Sequence, residues 1–181
     1  MNMSDTTRTG TKPAPARIGA GMARRDFMRS AAAGAGLVLA PRVLAQETSP
    51  SSDDLNVAMI GLGAQGMVLM DACLRIPGIR FRAVCDIWDY SLTRGTRTLK
   101  KSGHENNSYE DYREMLEQEK DLDAVIVATP DWMHAEHAIA CMQAGMHVYC
   151  EKEMSNDLAQ ARRMVEVSRE TGKLLQIGHQ R

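Results

Sequence analysis

Aromatic side chains are scarce in this chain of 181 residues, with Phe, Trp and Tyr together at 4%. A core built on rings is excluded, and the many Ala, Val, Met and Gly residues suit helices packed on a sheet. Excess charge of one sign is also missing. The formal net charge is −1, which gives no basis for nucleic acid as a partner. The four cysteines, Cys73, Cys85, Cys141 and Cys150, have neither CxxC spacing nor a compact framework, so buried free thiols are expected rather than a disulfide scaffold. A membrane-length apolar run is lacking too. The stretch from Ser30 to Ala40 is broken by Pro41 and Arg42 and is too short to span a bilayer. The chain shows no internal repeat, and no low-complexity segment beyond its leader and linker.

What is present begins with an address. Arg24-Arg25-Asp26-Phe27-Met28-Arg29 precedes the small-residue apolar run, and Val43-Leu44-Ala45 offers a processing site before Gln46. Residues 1–45 therefore resemble a twin-arginine export signal cleaved after Ala45, implying the twin-arginine translocase as a partner and a periplasmic or secreted location. No stable membrane span remains after cleavage. That route carries proteins already folded, which suits one that loads a cytoplasmic cofactor before leaving. Residues 46–54 read as a Ser, Pro, Asp and Thr-rich linker, and 55–181 as one moderate domain.

Within that domain apolar strands alternate with amphipathic helices. Strands are expected at Leu55–Ile60, Ile79–Cys85, near Asn107 and Ser108, at Ala124–Ala128, His147–Cys150 and Leu174–Ile177. Helices are expected over Ala64–Arg75, Ser91–Lys101, Tyr109–Glu119, Asp131–Ala144 and Asp157–Thr171, several stopped by glycine. Near-continuous apolar strands in strict alternation with helices predict an α/β fold. The expected architecture is a doubly wound parallel sheet (Rossmann fold) of six strands with helices on both faces.

The first strand runs into Gly61-Leu62-Gly63-Ala64-Gln65-Gly66, a GxGxxG loop opening a helix. The first glycine permits the tight turn, the second lets backbone approach a pyrophosphate, and the third packs helix on strand. Amides at the helix start then face the phosphates. Alone the motif is weak, but Asp86 ends the next strand twenty residues beyond Gly66, where a carboxylate accepts hydrogen bonds from ribose hydroxyls. Asp86 favours NAD as cofactor; Arg82 and Arg94 leave NADP open. A different signal closes the fifth strand. Glu151-Lys152 at a strand's carboxyl end points to a group aimed at a reacting oxygen.

Three ordered segments carry a resemblance: Ala128-Thr129-Pro130-Asp131-Trp132-Met133-His134, Ala144 to Lys152, and Gly172 to His179. Over Leu55 to Arg181 the chain resembles the glucose-fructose oxidoreductase, inositol dehydrogenase and MocA family. The resemblance implies an NAD(P)-dependent oxidoreductase exchanging hydride with a sugar, inositol or related polyol. It places Thr129 and Pro130 along the cofactor, His134 near it, and Glu151 and Lys152 in the family's Glu-Lys-Pro motif, with Lys152 as the catalytic residue. Position 153 departs from the motif: Glu153 stands where the family has a proline whose peptide bond is often cis. A non-proline cis bond costs about 2.5 to 4 kcal/mol, so a trans Lys152-Glu153 bond is expected, with Glu153 able to pair with Lys152.

In that family a second α+β domain supplies the substrate pocket and the oligomer interface, so members are homo-oligomers and residues 55–181 are expected to be catalytically incomplete alone. Such a piece should expose apolar surface. Outside the cytoplasm free NAD is scarce, so a tightly held, recycled cofactor is expected, as in paired sugar oxidation and reduction or a NAD-dependent glycosidase. A noncatalytic nucleotide-binding module is the alternative. A methyltransferase also has a glycine loop after its first strand but leaves Thr129-Pro130 and Glu151-Lys152 without a role. His134 and His137 stand three apart on one helix, but spacing places no third ligand, so no metal is assigned. His179 either approaches the site or caps its strand, and Met133, Met142, Met146, Met154 and Met164 read as packing.

Overall fold

The computed structural model describes residues 54–179; the expected export signal and most of the expected linker lie outside the described residues. Eleven elements alternate: β1 (Leu55–Ile60), α1 (Ala64–Cys73), β2 (Ile79–Cys85), α2 (Asp89–Lys101), β3 (Asn107–Tyr109), α3 (Tyr112–Gln118), β4 (Ala124–Val127), α4 (Asp131–Gln143), β5 (His147–Cys150), α5 (Leu158–Thr171) and β6 (Leu175–Ile177). All pairings are parallel, in the order β3-β2-β1-β4-β5-β6. The chain thus winds outward one way from β1, returns, and winds the other way from β4.

The period-2 geometry of β1 divides its side chains between two apolar layers. Ala58 and Ile60 pack with Met115, Ala138, Cys141 and Met164 of α3, α4 and α5. Val57 and Met59 pack with Met67, Met70, Leu92 and Leu99 of α1 and α2. Helices therefore cover both faces, as the near-continuous apolar strands require. Burial of each Val, Leu, Ile or Met side chain among them contributes about 1.5 to 3 kcal/mol relative to exposure. The cysteines are free thiols, and Cys85, Cys141 and Cys150 are buried.

Boundaries shift where a side chain overrides periodicity. The helix expected from Tyr109 starts at Tyr112 instead, because Tyr109 completes β3 opposite Cys85 and Asp111 caps the new helix by accepting from the Arg113 amide at 2.8 Å. Asp157 caps α5 the same way, accepting from Gln160 N at 2.8 Å, and Gly172 ends that helix in the left-handed region with φ 68°. Asp157→Ala is expected to cost about 1 kcal/mol in urea denaturation. An unchanged midpoint would deny the cap its role.

Candidate nucleotide site

The glycine loop sits where the winding reverses, between the carboxyl ends of β1 and β4, and open α/β sheets bind ligands at that crevice. Each glycine answers a different demand. Gly61 has φ +94°, and a Cβ there would lie 2.6 Å from the Ala128 carbonyl oxygen. Gly66 lies under the Gly61 carbonyl, too close for any side chain. At Gly63 a Cβ would meet nothing within 4 Å, so this is the position facing open space. Gly63 is also the N-cap of α1 and lends it no side-chain cap, and the first turn carries no acidic residue. Amides at a helix start have no partner inside the helix, so the first turn presents donors and a positive dipole end to the crevice.

Asp86 is half-buried beside this loop. Its Oδ2 accepts from Leu62 N at 2.7 Å and its Oδ1 from Trp88 N at 2.9 Å. The carboxylate therefore holds the glycine loop in place and keeps lone pairs for hydroxyl donors. Gly61, Gly63, Asp86, Thr129 and Pro130 line one cleft of about 630 Å³, with Ile87 and Trp132 exposed at its mouth. A cleft of about 850 Å³ at the strands' amino ends is lined by Arg80, Phe81 and His104 and touches none of these residues.

Other expected site residues take different parts. Leu62 is fully buried against α2, where a Cβ on Gly95 would approach its Cδ1 to 2.8 Å, so only its backbone reaches the loop. Ala64 is exposed at the helix start. Gln65 turns its side chain away from the crevice toward Glu151 Oε1, 3.2 Å away. His134 is buried rather than open to the cleft; its Nδ1 and Nε2 meet the carbonyl oxygens of Glu153 and Thr129 at 2.6 and 2.7 Å. It ties the loop after β4 to the loop after β5. Glu151 is buried at 3% exposure, and Lys152 is exposed with no ion pair among the described residues.

Two expectations about position 153 are corrected. The Lys152-Glu153 peptide is cis, not trans. The trans expectation weighed only the local cost of the bond, whereas tertiary contacts hold the peptides on either side of it: the Lys152 amide donates to the buried Glu151 carboxylate, and the Glu153 carbonyl meets His134. Nor does Glu153 pair with Lys152: both are exposed, and solvation of the two charges competes with the ion pair.

Several cleft residues escaped the sequence reading. His137 lies in the lining, buried, with Nδ1 3.1 Å from Thr129 Oγ1 and its ring edge-on to Tyr112 at 4.6 Å. Arg113 lies over the Tyr112 ring and bonds Glu136 Oε1 at 2.6 Å, which also accepts from the Tyr112 hydroxyl at 2.8 Å. The tetrad joins α3 to α4 across long sequence separations, and only the three-residue step from His134 to His137 marked it. Cys85 also lines the cleft, but burial, followed by the charges of Asp86 and Asp111, pushes its thiol up to about 12, so it is no nucleophile.

The profile of the Gfo/Idh/MocA family, an oxidoreductase family with an NAD-binding Rossmann fold, matches residues 55–179. The chain belongs to this family. A Sphingobium 4-carboxy-2-hydroxymuconate-6-semialdehyde dehydrogenase is 35% identical over 70% of this chain and 39% of its own length. A Stenotrophomonas maltophilia glycosyl hydrolase family 109 protein is 36% identical over 72% of this chain and 29% of its own. Among solved structures, myo-inositol 2-dehydrogenase from Lactobacillus plantarum aligns at 28% identity and a TM-score of 0.63, over 69% of this chain and 36% of that one. The chain thus spans less than two-fifths of the length of these relatives.

The crevice of this Gfo/Idh/MocA domain fits NAD on its own geometry. Open space at Gly63, uncapped amides in the first turn of α1 and the Asp86 carboxylate stand in the order pyrophosphate and ribose require. The same cleft carries a pH-sensitive group. Burial, the largest effect, outweighs the opposing charge of Glu136 and, with smaller contributions from His134 and Arg113, lowers the His137 pKa from 6.5 to about 4. The unfolded chain binds that proton near pH 6.5 and the fold only near 4, so stability is full above 6.5 and falls as pH drops toward 4. The loss is expected to reach up to about 3 kcal/mol, flattening below pH 4, and His137→Asn should remove most of it. Denaturation midpoints of both proteins between neutral and acid pH check this; parallel curves would contradict it.

Proposed function

We propose that this NAD-binding domain serves an exported oxidoreductase that exchanges hydride with a hydroxyl-bearing carbon of a sugar, inositol or related polyol. The observation that carries the reading is Lys152: exposed at the carboxyl end of β5, next to a buried glutamate hydrogen-bonded to the glycine-loop helix. Bound NAD supplies hydride chemistry there. The Lys152 ammonium would hold the substrate oxygen through Nζ and stabilise negative charge as the alcohol becomes a ketone. Thr129 and Pro130 would line the cofactor, and His134 would keep their loop in register with the lysine loop.

The test follows NADH formation by the complete gene product carrying this chain, against a panel of inositols and sugars. Lys152→Met is expected to lower turnover by about 10²- to 10⁴-fold. Formation of no NADH from any polyol, or full activity in Lys152→Met, would contradict the reading. A second reading rests on the family 109 glycosyl hydrolase relative: transient oxidation that assists glycosidic cleavage. Release of sugar from a glycoside without net NADH would favour it.

Export rests on Arg24-Arg25 and the Ala45 processing site. Replacing both arginines with lysine is expected to leave the protein in the cytoplasmic fraction, uncleaved. Unchanged export of that variant would remove the twin-arginine route. Retention of nucleotide by protein purified from the periplasm would support a tightly held cofactor.

A further inference from the structure

Resting on the cofactor reading above, we propose that Gln65 is a positioning residue that couples phosphate docking at the start of α1 to the setting of Lys152. Gln65 lies in the first turn of that helix, where backbone amides meet the phosphates. Its side chain does not join them. It crosses 86 positions of sequence to donate from Nε2 to Glu151 Oε1 at 3.2 Å.

Glu151 is gripped on both oxygens. Oε1 also lies 3.4 Å from the Tyr149 hydroxyl, and Oε2 accepts from the Lys152 amide at 3.2 Å. Gly178, at the end of β6, closes the far side: a Cβ there would collide with the Tyr149 hydroxyl and stand 3.2 Å from Glu151 Oε1. With 3% exposure the carboxylate has little room to slide, so a shift of Gln65 passes through its two oxygens to the Lys152 peptide. A buried carboxylate keeps its donors because losing one strands charge away from water. Movement of the first turn of α1 onto phosphate therefore reaches the lysine backbone without any contact between cofactor and lysine.

ADP-ribose separates the two ends, since it carries the ribose and pyrophosphate of NAD but lacks nicotinamide. In labelled protein saturated with ADP-ribose, the backbone amide resonances of Glu151 and Lys152 are expected to shift. In Gln65→Met, saturated to the same degree, that shift is expected to fall by about half or more. Gln65→Leu, a second apolar replacement, should behave alike. Retention of the full shift in either folded variant would overturn the coupling. So would loss of ADP-ribose uptake in the variants, which would place the side chain in the phosphate grip itself. No uptake by the unaltered protein would instead remove the cofactor reading and the coupling together.

Discussion

Gly61→Val is expected to destabilise the domain by about 3 kcal/mol or more and to abolish NADH binding. Two costs add at this position. The backbone has φ +94°, a conformation that L side chains rarely adopt, and the new Cβ would fall 2.6 Å from the Ala128 carbonyl oxygen and 2.8 Å from the Thr129 amide nitrogen. Both obstacles are main-chain atoms at the end of β4, so no rotamer change relieves them. Relief requires β1 and β4 to separate where they are hydrogen-bonded, Ala128 N donating to Ile60 O at 2.8 Å. Gly63→Ala is the informative partner. Its backbone φ of −64° tolerates alanine and its Cβ meets nothing within 4 Å, so stability should hold. The methyl group would occupy the space that phosphate needs, and NADH affinity is expected to fall about tenfold or more. Urea unfolding and NADH titration on both variants separate the two roles. Equal stability losses would show that Gly63 is only another turn glycine.

Asp86→Ala is expected to weaken NADH binding by about thirtyfold in a domain that still folds but is less stable by about 1 to 3 kcal/mol, since Leu62 N loses its acceptor. The carboxylate contributes twice: it fixes the loop through Leu62 N, and it offers acceptor sites to ribose hydroxyls. Hydrogen bonds to a charged group contribute about 1.5 to 3 kcal/mol, and each 1.4 kcal/mol is a factor of ten in affinity. The carboxylate also opposes a 2′-phosphate. Asp86→Ala is therefore expected to narrow the preference for NADH over NADPH, and Asp86→Asn to narrow it while keeping more of the NADH affinity. An Asp86→Ala protein that binds NADH as tightly as the original would remove this residue from the site.

Short-range spacing made much of this site legible. Gly61, Gly63 and Gly66 occupy one turn, and Asp86 follows one helix and one strand later, so a linear reading recovers the phosphate and ribose positions. Tertiary contacts governed the rest. Nothing near Gln65 in sequence announces Glu151, and nothing near His134 announces the Glu153 carbonyl. The geometry at Glu153 was hidden for that reason: the local preference of a non-proline peptide takes no account of the histidine that meets the carbonyl of the next one. His137 was weighed only as a metal ligand, although its partners, Thr129 and Tyr112, are a hydroxyl and a ring brought together by the β4 and α3 ends. Tyr109 went to the wrong element because an amphipathic pattern ran through it, whereas pairing with β2 claimed it for the sheet.

Titration of the domain with NADH, followed by the cofactor's own fluorescence, tests most directly that the crevice between β1 and β4 is the nucleotide site. The prediction is saturable one-site binding, weakened by Gly63→Ala at an unchanged unfolding midpoint and by Asp86→Ala in protein that remains folded at the temperature of the titration. Binding that is absent, or unaltered by either substitution, would contradict it.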